Sequence, residues 1–303
     1  KSFYNPLEGL HQSYRHEITD EFVVPFVTVD QEGRPIGKLL PNDAAIFFNF
    51  RSDRARQLTR ALTNNDFKHF SREQDPTSHF LSMTPYDRTF ELPTAFPKIR
   101  LHRTLDKVFS KNKVKNLRLA ETEKYAHVSY FFNGGDEQLL PEEKRVLIPS
   151  SQVPTYDLKP EMSAFEITDQ LLHELNQETY QTIVVNFANA DMVGHTGVFE
   201  ATVKAVETVD TCLARIYKKL REIGGIMMVT ADHGNAEQMI DPKNGQVHTA
   251  HTNNLVPFIL ADDNCGKKLR KGGALEDIAP TLLQSLEIEK PTEMTGQSLL
   301  LAD

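Results

Sequence analysis

The sequence has little cysteine and no long apolar run, and each shortage excludes a class of protein. Its 303 residues include only two cysteines, Cys212 and Cys265. Two thiols that far apart do not form a disulfide framework, and they fit a reducing compartment, so we expect a cytoplasmic protein. No window approaches the roughly 18 uninterrupted apolar residues that a membrane helix requires, which argues against a membrane partner.

The sequence also lacks an excess of basic residues and a segment for export. It carries 34 Lys and Arg against 42 Asp and Glu, a formal charge of −8. Nucleic acids and anionic membranes call for a basic surface, so neither is expected as the main partner. The first residues, KSFYNPLEGL, contain no apolar stretch of the secretory kind and no initiator Met. We expect the chain to begin within a longer protein.

What the sequence does contain is an alternation of strand-like and helix-like segments over a length typical of about two domains. Short apolar runs rich in β-forming residues predict strands at residues 44–50, 79–84, 126–132, 145–150, 181–188, 225–231 and 256–261. Between the strands at 181–188 and 225–231, apolar residues recur every three or four positions and predict a helix over 198–223. A strand, a long helix and a strand form a βαβ unit, which implies parallel pairing in a sheet covered by helices.

The segment NFANADMVGHTG places Asp191 and His195 four residues apart, directly after a predicted strand. A loop that only turns the chain needs Gly, Asn or Ser rather than this pair. Carboxylate and imidazole groups are both good ligands for divalent cations. The pair therefore indicates a metal site, provided that further ligands arrive from elsewhere.

The segment after the next predicted strand carries four further candidate ligands. Asp232 and His233 stand side by side, and His248 and His251 follow after a loop. Ligands bind at the carboxyl ends of parallel strands, so these residues should lie at the same sheet edge as Asp191. Two ions with mixed Asp and His ligands are a common device for handling phosphate oxygens. Without cysteine nearby, manganese, magnesium or zinc is favoured, and His248 is the weakest candidate.

Two basic clusters could bind an anion. Arg51, Arg54 and Arg56 follow a predicted strand where a helix begins, and such a position suits a phosphate or carboxylate. The alternative is a solvated basic turn in which Asp53 pairs with an arginine. Lys124 precedes a predicted strand, where an isolated lysine normally lies at the surface.

Taken together, these motifs resemble those of the cofactor-independent phosphoglycerate mutases. The segments NFRSDRARQ, ETEKYAHVSYFFNGG, NFANADMVGHTG, TADHGNAEQM, HTAHTNNLVPFIL and EMTGQSLL occur in that family in this order and at about these separations. The family is similar to alkaline phosphatase in its metal core. The resemblance implies an α/β fold with a mainly parallel sheet and helices on both faces, plus part of a second α/β domain.

The resemblance also implies a reaction and a metal site. The family interconverts 3-phosphoglycerate and 2-phosphoglycerate in glycolysis through a phosphoserine, over two divalent ions that are usually manganese, without bisphosphoglycerate. Asp191, His195 and His251 match the ligands of one ion. Asp232 and His233 match ligands of the second ion.

Roles for the basic residues and a division into domains follow from the same resemblance. Arg51 and Arg54 match the residues that hold the substrate, and Lys124 matches a catalytic lysine that reaches towards the phosphate. Residues 1–98 correspond to the C-terminal part of the transferase domain, which binds substrate. Residues 99–303 correspond to the major part of the phosphatase domain, which binds the metals.

The nucleophilic serine and one more aspartate ligand belong to a segment of the family that precedes this sequence. We therefore expect the chain to be inactive alone and to need that segment of the same protein, with phosphoglycerate as the small-molecule substrate. A monomer is expected. Two alternatives remain open: a metal- or phosphoglycerate-binding module without catalysis, and another phosphoryl or sulfuryl hydrolase on the same metal core.

Overall fold

The computed structural model divides the chain into two compact units, Lys1–Arg100 and Leu101–Asp303. The described residues are 1–18, 22–40, 42–52, 54–72, 79–87, 89–97, 101–177, 180–263 and 268–301. The predicted domain boundary between residues 98 and 99 lies outside them, as do Asp53 and Cys265. Cys212 is buried and is a free cysteine within the described part of the chain.

The first unit contains two small parallel sheets, each with a helix between its two strands. In chain order the elements are β1 (Ser2–Phe3), α1 (Pro6–Arg15), β2 (Val27–Thr28), β3 (Ala44–Phe47), α2 (Ala55–Thr63) and β4 (His79–Ser82). Strand β1 pairs with β2 and β3 pairs with β4, both in parallel. Parallel strands require a crossover, which α1 and α2 provide. The strands predicted at 44–50 and 79–84 are confirmed, with shorter bounds.

The second unit is built on a parallel sheet of three strands and a separate pair of strands. Its strands are β5 (Asn116–Glu121), β6 (Glu143–Ile148), β7 (Thr182–Asn186), β8 (Met227–Thr230) and β9 (Phe258–Ala261). The parallel sheet has the order β6-β5-β7, and β8 pairs with β9 in antiparallel orientation. Every residue of the central strand β5 is buried. The predicted α/β fold class is confirmed.

Helices cover both faces of the three-stranded sheet. The helices of this unit are α3 (Leu105–Lys111), α4 (Tyr125–Val128), α5 (Ala164–Gln177), α6 (Asn189–Gly194), α7 (Phe199–Ile223) and α8 (Ile278–Ser285). On one face, Leu117 and Leu119 of β5 pack with Ile167 of α5 and Ile216 of α7. Arg118 points to the opposite face, because side chains alternate along a strand, and lies over the ring of Phe109 in α3. Among the described helices, none is both long and apolar enough to cross a membrane.

The strand predicted at 126–132 is wrong. Its first residues belong to α4, whose following Ser129 donates a hydrogen bond to the carbonyl of Tyr125 at 2.7 Å. The actual strand is β5. An apolar pattern did not predict it, because its buried residues include the charged Arg118 and Glu121. Pairing with strands on both sides makes β5 the central strand, and such tertiary pairing overrides local β-propensity. Lys124 consequently lies in a 3₁₀ turn, Thr122–Lys124, and not before a strand.

The βαβ prediction is confirmed in the order of its elements but is wrong in the pairing of its strands. Helices α6 and α7 lie between β7 and β8, and α7 ends at Ile223, as predicted. Among the described strands, however, β7 pairs with β5, and β8 pairs with β9. The two strands thus belong to different sheets, although α7 connects them.

Candidate metal centre

Helix α6 carries the first two candidate ligands, directly after β7. Asp191 lies in its first turn and His195 follows its last residue, so the two side chains are four positions apart on the same face. The nitrogen Nε2 of His195 is 3.1 Å from Oδ1 of Asp191. Asn189 anchors the helix, because its buried Nδ2 donates to the carbonyl of Pro160 at 2.9 Å.

Two chain segments bring His233 and His251 together. His233 follows β8, and His251 precedes β9. The residues next to them, Gly234 and Thr252, form an isolated antiparallel bridge, in which the N–H of Thr252 donates to the carbonyl of Gly234 at 2.9 Å. The two imidazole rings stack, with centroids 3.7 Å apart and an angle of 20° between the rings.

Three donor atoms form a nearly equilateral triangle at the end of α6. His251 Nε2 lies 3.2 Å from Asp191 Oδ1 and 3.1 Å from His195 Nε2, and the third side, from His195 to Asp191, is 3.1 Å. Ligands bonded to one cation at about 2.1 Å are separated by roughly 3.0 Å at right angles and about 3.4 Å in a tetrahedron. The three donors are therefore spaced as ligands of a single divalent ion.

Hydrogen bonds at the other ring nitrogens fix the histidine tautomers. Nδ1 of His195 lies 2.7 Å from the carbonyl oxygen of Thr249, and Nδ1 of His233 lies 3.3 Å from that of Gly234. A carbonyl oxygen only accepts, so Nδ1 carries the proton in each ring. When a cation is bound, the ring is neutral and its lone pair is on Nε2, which faces the other donors. This arrangement is typical of histidines that bind metals.

A second group of donors adjoins the first. Ligand atoms of Asp191, His233 and His251 all lie within 4.8 Å of one another. His233 Nε2 is 4.0 Å from Asp191 Oδ1, farther than either His195 or His251, and 3.7 Å from Oδ2 of Asp232. The side chain of Asp232 is 54% exposed. Of the predicted ligands, His233 thus lies at the margin of the triangle and Asp232 lies beyond it.

Lys124 is buried against Asp191, contrary to the expectation for an isolated lysine. Its Nζ donates to Oδ2 of Asp191, the carboxylate oxygen that does not belong to the triangle. Only 7% of the Lys124 side chain and 15% of the Asp191 side chain are exposed. The ion pair joins the turn after β5 to helix α6.

The surroundings set the charge of these groups. Burial would raise the pKa of the Asp191 carboxyl, but the hydrogen bond with His195 and the charge of Lys124 outweigh burial and hold the pKa well below its usual range. Burial, reinforced by the neighbouring His233, lowers the pKa of His251. At neutral pH Asp191 is therefore an anion and His251 is neutral, the forms that bind a cation.

With this geometry established, comparison with known proteins identifies the family. The sequence profile of the Metalloenzyme superfamily matches residues 8–290. The chain belongs to this superfamily. Within it, the chain is 52% identical to 2,3-bisphosphoglycerate-independent phosphoglycerate mutase 2 of Methanosarcina barkeri, an alignment that covers 99% of the chain and 59% of the relative. It is 53% identical to 2,3-bisphosphoglycerate-independent phosphoglycerate mutase of Clostridium botulinum (strain Langeland), over 97% of the chain and 57% of the relative.

A solved structure gives the same result. The fold is similar to that of Leishmania mexicana phosphoglycerate mutase, crystallised at low cobalt concentration, with a TM-score of 0.84 and 30% identity. That comparison covers 100% of the chain and 59% of the solved structure. The resemblance drawn from the motifs is confirmed, and the chain spans less than three-fifths of the length of these relatives.

Arg51 and Arg54 lie in the first unit, whereas the other predicted site residues lie in the second. Both arginines are exposed, and Arg54 is the N-cap of α2. The N–H of Arg51 donates to Oδ1 of Asn49 at 2.8 Å, which shapes the turn before the helix. Nε of Arg56 donates to the carbonyl of Tyr86 at 2.7 Å, so this third arginine makes a structural contact.

Two residues at the centre were not among the candidates drawn from the sequence. Nδ2 of buried Asn235 lies 3.4 Å from Oδ1 of Asp191, and a Cβ on Gly194 would lie 2.2 Å from Asn235 Oδ1. Glycine at 194 therefore allows Asn235 to approach α6. The carboxylate of Glu237 accepts hydrogen bonds from both segments that carry His233 and His251. The polar run DHGNAE after a strand was the available signal for both residues.

Proposed function

We propose that this chain forms the metal-binding part and some of the substrate-binding part of a phosphoglycerate mutase. The complete protein would interconvert 3-phosphoglycerate and 2-phosphoglycerate in glycolysis through a phosphoserine. The observation that carries this proposal is the donor triangle of Asp191, His195 and His251, together with a buried lysine against Asp191. A hydrolase or mutase acting on phosphate needs positive charge at the transferring group, which a cation held by the triangle and the ammonium group of this lysine would supply.

The proposed metal ligands fall into two groups. Asp191, His195 and His251 are the proposed ligands of one divalent ion, and Asp232 and His233 are proposed to contribute to the second. Nitrogen and oxygen donors without cysteine favour a hard or intermediate cation, and we propose manganese for both. When bound, the ions neutralise charge on the phosphoryl oxygens and activate the nucleophile.

Lys124 is proposed to serve both the centre and the substrate. Its ammonium group donates to Asp191, which keeps that carboxylate charged and oriented. An ammonium group carries three donors, so Lys124 can also bind a phosphoryl oxygen while it retains this bond. The buried position would make its charge more effective than that of a surface lysine.

The first unit is proposed to be part of the transferase domain, and the second the major part of the phosphatase domain. Arg51 and Arg54 are the proposed grip on the glycerate, because guanidinium groups bind carboxylate or phosphate with paired hydrogen bonds. Their exposure at the start of α2 is compatible with a substrate that arrives from solvent.

The nucleophilic serine is proposed to come from the segment of the complete protein that precedes this chain. The relatives are longer than the chain, which covers 59% and 57% of two of them. Among the described strands, β7 and β8 belong to separate sheets although α7 connects them, and parallel crossovers normally join strands of one sheet. A strand from the preceding segment between β7 and β8 would unite the two sheets. The expectations of a monomer and of a cytoplasmic location remain predictions.

The test compares the 303-residue chain alone with the chain co-folded with the N-terminal segment of the complete protein. An enolase-coupled assay should detect no conversion of 3-phosphoglycerate by the chain alone and manganese-dependent conversion by the co-folded pair. A co-folded pair with Asp191→Ala is the control and should be inactive. Full turnover by the isolated chain would contradict the proposed origin of the nucleophile.

The same preparations separate the two alternatives. A binding module is the second candidate, because the donor triangle and Lys124 could hold a cation and a phosphoryl group without a chemical step. A co-folded pair that binds manganese and phosphoglycerate without turnover would support that module. Rapid hydrolysis of p-nitrophenyl phosphate or p-nitrophenyl sulfate without conversion of 3-phosphoglycerate would instead support a hydrolase on the same metal core.

A further inference from the structure

The stacked histidines, His233 and His251, depend on a very small element of backbone structure. Two isolated bridges outside the named strands join the two segments, Gly234 with Thr252 and Ile240 with Val247, and only the first adjoins the histidines. Single bridges specify register weakly, because the pairing at each is short. A further contact beside the first bridge would help to hold the two rings 3.7 Å apart.

Glu237 supplies that contact. Its carboxylate accepts three hydrogen bonds: from the N–H of Asn235 at 2.6 Å, from Nδ2 of Asn254 at 2.9 Å, and from the hydroxyl of Thr252. Asn235 belongs to the segment of His233, and Thr252 and Asn254 belong to the segment of His251. Although Glu237 is exposed as a residue, its carboxylate therefore binds both segments at once.

The carboxylate lies directly over the bridge. A Cβ built on Gly234 would lie 2.4 Å from Oε1 of Glu237 and 2.2 Å from Oγ1 of Thr252, distances that real Cβ atoms do not adopt. Glycine at this position lets the side chains of Glu237 and Thr252 approach the backbone next to His233. This local arrangement accounts for the glycine at position 234 and the glutamate at position 237 in the sequence GNAE.

The charge of Glu237 strengthens the arrangement. Burial would raise the pKa of Glu237, but the hydrogen bonds from Thr252 and Asn254 outweigh burial and lower it. Hydrogen bonds to a charged acceptor contribute about twice as much as bonds between neutral groups. Glu237 is not one of the clustered donor atoms found among the described residues.

We infer that Glu237 is a positioning residue, which holds His233 and His251 in register so that both imidazoles can bind metal. The inference rests on the proposed function, because both histidines are proposed ligands there. Residues that orient metal ligands through hydrogen bonds typically change metal affinity by about 10- to 100-fold when they are replaced. Glu237 differs from such residues in one respect: it binds the backbone and neighbours of the ligands and leaves their rings untouched.

The experiment uses the 303-residue chain with Glu237→Ala, Glu237→Gln and the control Glu207→Ala, an exposed glutamate of α7. Mn²⁺ titrations followed by the EPR signal of the free ion give the affinity. We expect E237A to weaken binding by about 10-fold or more. E237Q keeps an acceptor oxygen and should stay within about threefold of the unaltered chain, because it loses only part of the hydrogen bonding. E207A should bind as the unaltered chain does.

A second readout follows the histidines without metal. In the metal-free chain with ¹³C-labelled histidine, NOE cross-peaks between the rings of His233 and His251 should be lost in E237A and kept in E237Q. Unaltered Mn²⁺ affinity in E237A, or persistence of these cross-peaks, would overturn the inference. Failure of the unaltered chain to bind Mn²⁺ would overturn the proposed metal centre itself, and the two failures are thereby distinguished.

Discussion

Lys124 and Asp191 form a buried ion pair between two segments that are 67 residues apart in the sequence. The pair joins the turn after the central strand of the parallel sheet to the helix that carries two proposed ligands. One oxygen of Asp191 contacts the lysine, while the other belongs to the donor triangle. Asp191 therefore contacts the ammonium group of Lys124 on one side and the proposed position of the metal ion on the other.

The first prediction concerns the cost of breaking this ion pair. Replacing Lys124 with methionine removes the cation and leaves the Asp191 carboxylate buried. We expect the free energy of unfolding of the metal-free chain to fall by about 2–4 kcal/mol, because an uncompensated buried charge is strongly destabilising. Urea unfolding followed by circular dichroism measures the loss.

Lys219→Met provides the matched control for that prediction. Nζ of Lys219 lies 3.8 Å from Glu222, and the two side chains are 24% and 55% exposed. A long, partly exposed ion pair of this kind contributes about 0.5 kcal/mol or less. Equal losses in the two variants would contradict the importance of the Lys124–Asp191 pair.

The sequence indicated part of the centre because three of its candidate ligands follow strand ends, whereas His251 precedes β9. Asp191 and His195 come after β7, and His233 comes after β8, so position along the chain was sufficient to expect convergence. Lys124 was different, because its surroundings depend on how the turn after β5 packs on α6. No local pattern distinguishes a buried lysine from a surface one.

The central strand shows a second limit of sequence patterns. Strand β5 contains Arg118, whose guanidinium lies 4.0 Å from the ring of Phe132, and Glu121, which accepts from Ser150 at 2.8 Å. Burial lowers the pKa of Arg118 to about 10. Such charged residues are buried only with specific partners, and those partners come from distant segments. A pattern of apolar residues could not indicate this strand.

The second prediction concerns pH. Hydrogen bonds from the N–H groups of Gln297 and Ala274 lower the pKa of Asp277 below its ordinary value of 3.8, and Arg270 lowers it further. A carboxyl whose folded pKa is depressed stabilises the fold above the unfolded pKa, and this stabilisation is lost as the pH falls through the folded pKa. Asp277→Asn should therefore cost about 1–2 kcal/mol near neutral pH, and the difference should shrink below about pH 4.

Urea unfolding of the metal-free chain across this pH range measures the difference for D277N. Asp210→Asn, at an exposed position of α7, is the control and should unfold as the unaltered chain does at every pH. A difference between D277N and the unaltered chain that stays constant from neutral to acidic pH would show that the charge of Asp277 is unimportant.

The third prediction concerns the close approach of Asn235 to α6. Gly194→Ala would place a Cβ 2.2 Å from Asn235 Oδ1, so Asn235 must move away from Asp191. Overpacking of this kind costs about 1–3 kcal/mol. We expect G194A to lower both stability and Mn²⁺ affinity. The double variant with Asn235→Ala should recover much of the stability lost in G194A, because the clashing amide is gone. Additive losses in the double variant would contradict a direct clash.

The fourth prediction separates the two proposed ions. His195 belongs only to the donor triangle, since its Nε2 lies 3.1 Å from both Asp191 Oδ1 and His251 Nε2. His195→Ala should therefore abolish the tighter Mn²⁺ site of the 303-residue chain. Asp232 lies outside the triangle, so Asp232→Ala should leave that site intact and remove only the weaker binding. EPR titration of each variant gives the number of ions bound and their affinities.

His248→Ala is the decisive control for this assignment. His248 is near in sequence to His251 and was the weakest candidate ligand, and its backbone N–H donates to the carbonyl of Met239 at 2.9 Å. Its ring is not one of the clustered donors found among the described residues, so H248A should bind both ions as the unaltered chain does. If H248A instead lost the tighter site while H195A kept it, the donor triangle would be the wrong ligand set. Loss of one site in H195A, with no change in H248A, would assign the tighter ion to Asp191, His195 and His251.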